Sequence, residues 1–224
     1  MSTVRHPVFA RVLDRVSERE ERLGQAEHRE AMLHGVSGRV LELGAGNGIN
    51  FRHYPPSVSE VVAVEPEPYL RERAEEAARS AAISITVVDA LGGALPFEDG
   101  SFDAAVASLV LCTVPDQREV LSDLFRVVRP GGELRFYEHV RAADPRRARL
   151  QDAITPVWRR LGGGCHPNRD TGAAIEAAGF SVESCQTVIF TPCFLCAPAA
   201  RRIIGTARRP SKLKGSVETV NQQS

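Results

Sequence analysis

The chain has 224 residues, and its 28 Lys and Arg balance 28 Asp and Glu, so the formal net charge at pH 7 is zero. That balance gives no support for a nucleic-acid partner, which normally meets a basic excess able to displace counterions. The length suits one domain with small extensions, and 43% hydrophobic with 25% charged residues excludes wholesale disorder. Five cysteines, at 112, 165, 185, 193 and 196, form no disulfide framework of the secreted kind. The N-terminus scatters charges where a signal peptide has an apolar core, and no window reaches the roughly 18 apolar residues of a spanning helix. A cytoplasmic setting without an integral membrane segment is therefore expected.

From Val8 to Met32, Val8, Phe9, Val12, Leu13, Val16, Leu23 and Ala26 recur among alternating Arg and Glu. This spacing predicts one or two amphipathic helices laid on a larger body, with the charges as a solvated face. Residues 1–36 are thus read as a helical cover. Between Arg39 and Val140 short apolar runs alternate with charged, alanine-rich segments: RVLEL, VVAVE, ISITVV, FDAAVASLVL and GELRFYEHV read as strands, Tyr69 to Ala82 and Gln117 to Val128 as helices. Strands apolar on both faces and separated by helices predict a parallel sheet covered on both sides. Pro130-Gly131-Gly132 reads as the turn that launches the fifth strand. A helix bent at Pro156 is expected from Arg146 to Leu161, and one capped by Asp170 or Thr171 up to Gly179. Ser181 to Phe190 and Arg201 to Ala207 read as two final strands, completing a domain over 37–207. The polar segment 208–224 reads as a disordered tail.

The first strand runs into Glu42-Leu43-Gly44-Ala45-Gly46-Asn47-Gly48, a glycine-rich turn where an open parallel sheet binds nucleotides. A dinucleotide fingerprint would require glycine at 49, where this chain has Ile49. Glu42 adds negative charge that a pyrophosphate would not favour and a cationic ligand would. Glu65, closing the next strand at a cleft edge beside Pro66, suits a ribose hydroxyl pair, and Asp89 with Ala90 suits an adenine amine. Ser108 and Leu109 complete the rim. Acids at three successive strand ends describe a nucleoside with a positive substituent and no phosphate, and S-adenosylmethionine is such a molecule.

The segments LELGAGNGINFRHYPP, VEPEP, DGSFDAAVASLVLCTV, RVVRPGGELRFYEHV and TPVWRRLGGGCHPNRDT resemble class I S-adenosylmethionine-dependent methyltransferases. The likeness is closest to the thiol methyltransferase group related to ubiquinone and phosphatidylethanolamine methyltransferases, and covers most of Val40 to Gly179. The resemblance implies a Rossmann-like α/β fold with a mostly parallel seven-stranded sheet. It places Glu42, Gly44, Gly46, Gly48 and Asn50 around the methionine moiety, Glu65 at the ribose, and Asp89 and Ala90 at the adenine. Ala45 stands where the group usually has cysteine, and Glu65 where it commonly has Asp.

Methyl transfer from a sulfonium needs alignment more than a base. Candidates for a base or for orienting the acceptor are His139, after the fifth strand, and His166 in the GGGCHPN loop. Glu138, Trp158 and Phe194 are candidates for the acceptor pocket, with Glu138 positional and not a proton acceptor. Cys193-x-x-Cys196 lacks a regular second ligand pair, so no metal is expected, and Cys112 reads as a small core hydrophobe. The acceptor expected is a small, largely apolar molecule: a thiol first, a quinone-like aromatic or lipid amine next. An NAD-dependent oxidoreductase or a non-catalytic scaffold are the readings from other classes.

Overall fold

The computed structural model describes residues 6–211, without the side chains of Phe194 and Leu195. Phe194 as a pocket residue, and residues 212–224 of the expected tail, lie outside the described residues. The elements run α1 (Pro7–Glu20), a kinked segment (Glu21–Gln25) that breaks at Gly24, α2 (Ala26–Leu33), β1 (Gly38–Leu43), β2 (Val58–Val64), α3 (Pro68–Arg79), β3 (Ser84–Val88), β4 (Phe102–Ser108), α4 (Gln117–Val127), β5 (Val128–His139), α5 (Pro145–Leu161), α6 (Thr171–Ala177), β6 (Ser181–Ile189) and β7 (Arg201–Arg208). The strands form one seven-stranded sheet in the order β3-β2-β1-β4-β5-β7-β6. Neighbours from β3 to β5 pair in parallel, and β7 is antiparallel to both β5 and β6. This is the expected Rossmann-like α/β sheet with helices on both faces.

Each face has its own core, because strands apolar on both sides must be covered twice. Leu41, Leu43, Ala105, Ala107, Leu134 and Phe136 meet Leu121, Leu124 and Val127 of α4 and Ile175 of α6. On the opposite face Val40, Val61, Val106 and Tyr137 meet Met32 and Leu33 of α2 and Ala74 of α3. Local signals start these helices: Asp116 accepts from the N–H groups of Arg118 and Glu119, and Asp144 and Asp170 cap α5 and α6 in the same way. Pro156 lies inside α5.

β4 stops at Ser108, short of the ten-residue run expected, because Leu109 turns to φ 56°, the only non-glycine residue among those described with positive φ. Its N–H still reaches Tyr137 O at 2.7 Å, so the chain leaves the sheet without losing that bond. At the other end Arg208 remains in β7, and Arg209 exchanges backbone bonds with Gly131 and Gly132. No helix among the described residues is long and apolar enough to cross a membrane.

The amphipathic reading of the N-terminal cover holds only in part. Val8, Val12, Val16 and Leu23 are exposed and Phe9 and Leu13 half-buried, whereas Ala10 is buried together with the polar Ser17, Glu21, Gln25 and Arg29. The inward face carries polar groups because it meets polar groups on the body, which apolar side chains would leave without partners.

Candidate functional site

Parallel strands place their carboxyl ends along one edge, where β1, β2 and β4 hand over to loops. Gly44, Gly46 and Gly48 all take positive φ in the turn after β1. A Cβ on Gly44 would stand 2.4 Å from Val110 Cγ2, whereas one on Gly46 would meet no atom within 4 Å. Gly44 therefore serves packing, and Gly46 leaves its backbone open to a ligand. Ala45 is buried, its N–H bonded to Val64 O at 3.1 Å.

Glu65 is only 6% exposed, so it is more enclosed than a cleft-edge residue. Its carboxylate accepts from Gly46 N at 2.8 Å and Glu67 N at 2.9 Å, joining the β2 end to the glycine turn. Burial pushes its pKa up to about 7 against those two bonds. The carbonyls of Glu65 and Pro66 accept from Arg71 Nη1, whose Nη2 lies 3.2 Å from the exposed Asp89 carboxylate. Glu65 and Asp89 thus share one arginine, and Ala90 follows on the half-buried rim.

Glu42 is turned inward. Its two oxygens accept from Asn50 Nδ2 at 2.7 Å and the Tyr54 hydroxyl at 2.8 Å. Burial raises its pKa to about 7 despite both bonds and the nearby Arg29 charge. Arg29, from α2, donates to Asn50 Oδ1 at 2.6 Å and Ser108 Oγ at 3.2 Å, and pairs with Glu21 at 3.0 Å. His53 also binds Glu21. One buried guanidinium therefore ties the N-terminal cover to the ends of β1 and β4. A second clamp is Asp14, which accepts from Asn47 Nδ2 at 3.0 Å and from the Tyr69 hydroxyl, holding α1 over the turn and α3.

Past β4 the edge changes character. Glu138, fully buried, accepts from the backbone N–H groups of Val110 and Leu111 on one oxygen and Cys112 on the other, at 2.8–3.0 Å. Burial lifts its pKa to about 7 against these three donors. His139 Nδ1 lies 3.4 Å from Cys112 Sγ and 3.5 Å from Cys165 Sγ. The Cys112 thiol is pushed well above its ordinary range by its hydrogen bond to Cys165 and by burial, and Cys165 is held well below by that same bond, then by His139 and Trp158.

The loop carrying Cys165 is stitched onto the turn after β4. His166 N donates to Cys112 O at 2.7 Å, and Arg169 Nη1 donates to Leu111 O and Val114 O. Burial and the charges of Arg169 and Arg159 lower the His166 pKa. Trp158 Nε1 is buried without a hydrogen-bond partner. Cys193 and Cys196 are joined in a disulfide, although no disulfide framework was expected from the cysteine pattern.

Residues 41–136 match the family described as "Methyltransferase domain". The thiol S-methyltransferase TMT1B of Rattus norvegicus is 36% identical over 181 residues, which cover 78% of this chain and 73% of the relative. This chain belongs to the class I S-adenosylmethionine-dependent methyltransferases, in the thiol methyltransferase-like group. The Homo sapiens TMT1B is 38% identical over 157 residues, 66% of this chain and 63% of that protein. A solved structure of the N-methyltransferase NodS from Bradyrhizobium japonicum, in complex with S-adenosylhomocysteine, has a TM-score of 0.63 at 17% identity, covering 85% of this chain and 88% of that one, and shows the shared fold.

In this methyltransferase the residues expected at the cofactor fall into three groups. Gly46, Glu65 and Pro66 surround the open side of the turn, Asp89 and Ala90 follow beside Arg71, and Glu42, Asn50 and Ser108 are joined beneath the turn by Arg29. His139 and His166 both reach Cys112, one at its sulfur and one at its carbonyl. The sequence reading missed Arg29, Glu21 and Asp14, which looked like members of a solvated charge pattern. It also missed the meeting of Cys112 with Cys165, which no local spacing reveals.

Proposed function

We propose that this methyltransferase transfers the methyl group to the sulfur of a small, largely apolar thiol. S-adenosylmethionine, when bound, supplies an electrophilic methyl carbon on a cationic sulfur. The fit of the chain to that molecule rests on Gly46, whose Cβ direction is open, and on Glu65, whose oxygens retain lone pairs beyond those used by Gly46 and Glu67. The turn from Gly44 to Gly48 carries no Lys or Arg, as suits a nucleoside without phosphate. Glu65 is assigned to the ribose and Asp89 with Ala90 to the adenine. The backbone of Gly44, Ala45, Gly46 and Gly48, with Glu42 and Asn50 beneath it, is assigned to the methionine end, with Ser108 and Leu109 as the far rim.

The observation that carries the thiol assignment is the state of Glu138. It stands near the carboxyl end of β5, and both of its oxygens are committed to three backbone N–H groups. A phenol or carbon acid gains more from a base, whereas a thiol of pKa about 8.5 already supplies a few per cent of thiolate at neutral pH. The two thiol S-methyltransferase relatives, similar over 78% and 66% of the chain, support the same acceptor.

A panel of thiols graded by pKa, run beside phenols and amines, tests the assignment. Transfer that rises with thiolate fraction is expected. Activity confined to phenols or amines, or insensitive to thiol pKa, overturns it.

A further inference from the structure

Cys112, His139 and Cys165 come from three separate segments: the turn after β4, the end of β5 and the loop after α5. Each offers one ligand atom, and these atoms all lie within 4.8 Å of one another. Around a tetrahedral zinc ion, with bonds of about 2.3 Å to sulfur and about 2.0 Å to nitrogen, a sulfur and a nitrogen ligand stand about 3.5 Å apart. His139 Nδ1 stands 3.4 Å from one sulfur and 3.5 Å from the other. Two of the three ligand-to-ligand distances are therefore already those of a tetrahedral site, and the two sulfurs lie within 4.8 Å of each other.

The charge and the surroundings agree. Two thiolates buried together repel and are poorly solvated, and a divalent cation neutralises both. Thiolate and imidazole are the donors a borderline-soft ion selects. The Trp158 N–H, buried without a hydrogen-bond partner beside Cys165, is a donor available to a metal-bound sulfur. Arg169 and His166 fasten the Cys165 loop to the Cys112 turn through the carbonyls of Leu111, Val114 and Cys112, so the ligands are held from outside. Among the described residues no fourth His, Cys, Asp or Glu joins the group. Structural zinc sites close all four positions with protein, and sites with three protein ligands keep one for water or substrate.

We propose that Cys112, Cys165 and His139 bind a divalent, thiophilic cation such as zinc, and that its open position accepts a thiolate. The metal half of this proposal is independent of the thiol assignment, and the role of the open position rests on it. An incoming thiol displaces the metal-bound water, its sulfur forms the bond to the metal, and its proton passes to solvent water. The sulfur is then held as a thiolate at the β4 and β5 end of the edge, next to the turn after Ser108.

The test uses the reduced full chain, stripped by chelator and titrated with Co(II) alone. One equivalent of cobalt should produce the charge-transfer band of a cobalt thiolate with the strong visible bands of tetrahedral geometry, and Zn(II) should displace it. Cys112→Ser and Cys165→Ser should each lose most of the thiolate band, while the Cys193→Ser/Cys196→Ser protein should keep it. Each variant's circular dichroism and calorimetric binding of S-adenosylhomocysteine should be retained, which separates ligand loss from unfolding. No thiolate band in the reduced wild type, or a band that survives both Cys112→Ser and Cys165→Ser, overturns the metal site. A small thiol added to the cobalt-loaded protein should shift the visible bands, and an unchanged spectrum removes the open-position role. Thiol methylation that persists undiminished in the fully stripped protein would also remove that role while leaving the thiol assignment standing.

Discussion

The two halves of the sheet's carboxyl edge are built in different ways. At β1 and β2 the functional groups are near neighbours in the chain: Gly44, Gly46 and Gly48 follow Glu42 directly, and Glu65 reaches back across 19 residues to Gly46. That half is acidic, rests on backbone conformation, and is fixed from behind by the buried Arg29. At β4 and β5 the one buried acid is spent on the backbone, and the remaining chemistry is buried sulfur and half-buried imidazole gathered over separations of 27 and 26 residues. On the proposed assignment, binding of a cofactor shared across many enzymes is written as a local motif, whereas recognition of one acceptor is assembled by the fold.

Removing the pin behind the first half should have the largest effect. Arg29→Met breaks a buried ion pair and should cost about 3 to 5 kcal/mol in denaturant unfolding. A loss below about 1 kcal/mol would mean that the cover is not held by this residue. Gly44→Ala comes next. Its Cβ collides with Val110, which belongs to the second half, and its φ is left-handed, so a loss of about 2 to 4 kcal/mol is expected.

The pH dependence of the cofactor-free protein is a property the two halves share. Glu42 and Glu65 in the first half and Glu138 in the second have folded pKa values raised to about 7 from 4.5, with burial as the leading cause. Between those values the unfolded chain ionises and the folded chain holds the protons, so the unfolded state binds fewer of them. Stability therefore falls as pH rises from about 4.5 to about 7, by about 1.4 kcal/mol per pKa unit at most for each group. Urea midpoints across that range check it, and a Glu42→Gln protein should show a shallower decline. A midpoint rising with pH over the same range would contradict the assignment.

Gly46→Ala should cost only about 1 to 2 kcal/mol, since its Cβ meets nothing. It should nevertheless weaken S-adenosylhomocysteine binding at least about tenfold by calorimetry, a loss of roughly 1.4 kcal/mol. Unchanged affinity would move the ligand away from the turn. The smallest effect is expected at Glu138→Gln, where Val110 and Leu111 keep an amide oxygen as acceptor and Cys112 loses its partner. Methyl transfer should fall by less than about tenfold, and a fall of a hundredfold or more would make Glu138 a base.

The first half and the sheet were legible because their signals are local. Apolar runs alternating with helical segments, and glycines at fixed offsets after a strand, report conformation directly. The N-terminal cover was misread because its charged residues look the same whether they face water, as most do, or meet the buried Asn50 and the half-buried Asn47 and Tyr69, as Arg29 and Asp14 do. Leu109 and Glu65 show a milder failure: strand patterning does not reveal a left-handed turn, nor how far a strand-end acid is enclosed. Cys112 looked like a core hydrophobe and is fully buried, but its sulfur also faces Cys165 and His139, and only the crossing of β4, β5 and the loop after α5 shows it.

A crystal structure with S-adenosylhomocysteine bound tests the division of the edge most directly. The account predicts the ribose on Glu65, the backbone of Gly46 against the ligand, and the ligand's sulfur facing the end where Cys112, His139 and Cys165 meet. A ligand whose sulfur points toward β3, or whose ribose lies away from Glu65, would contradict it.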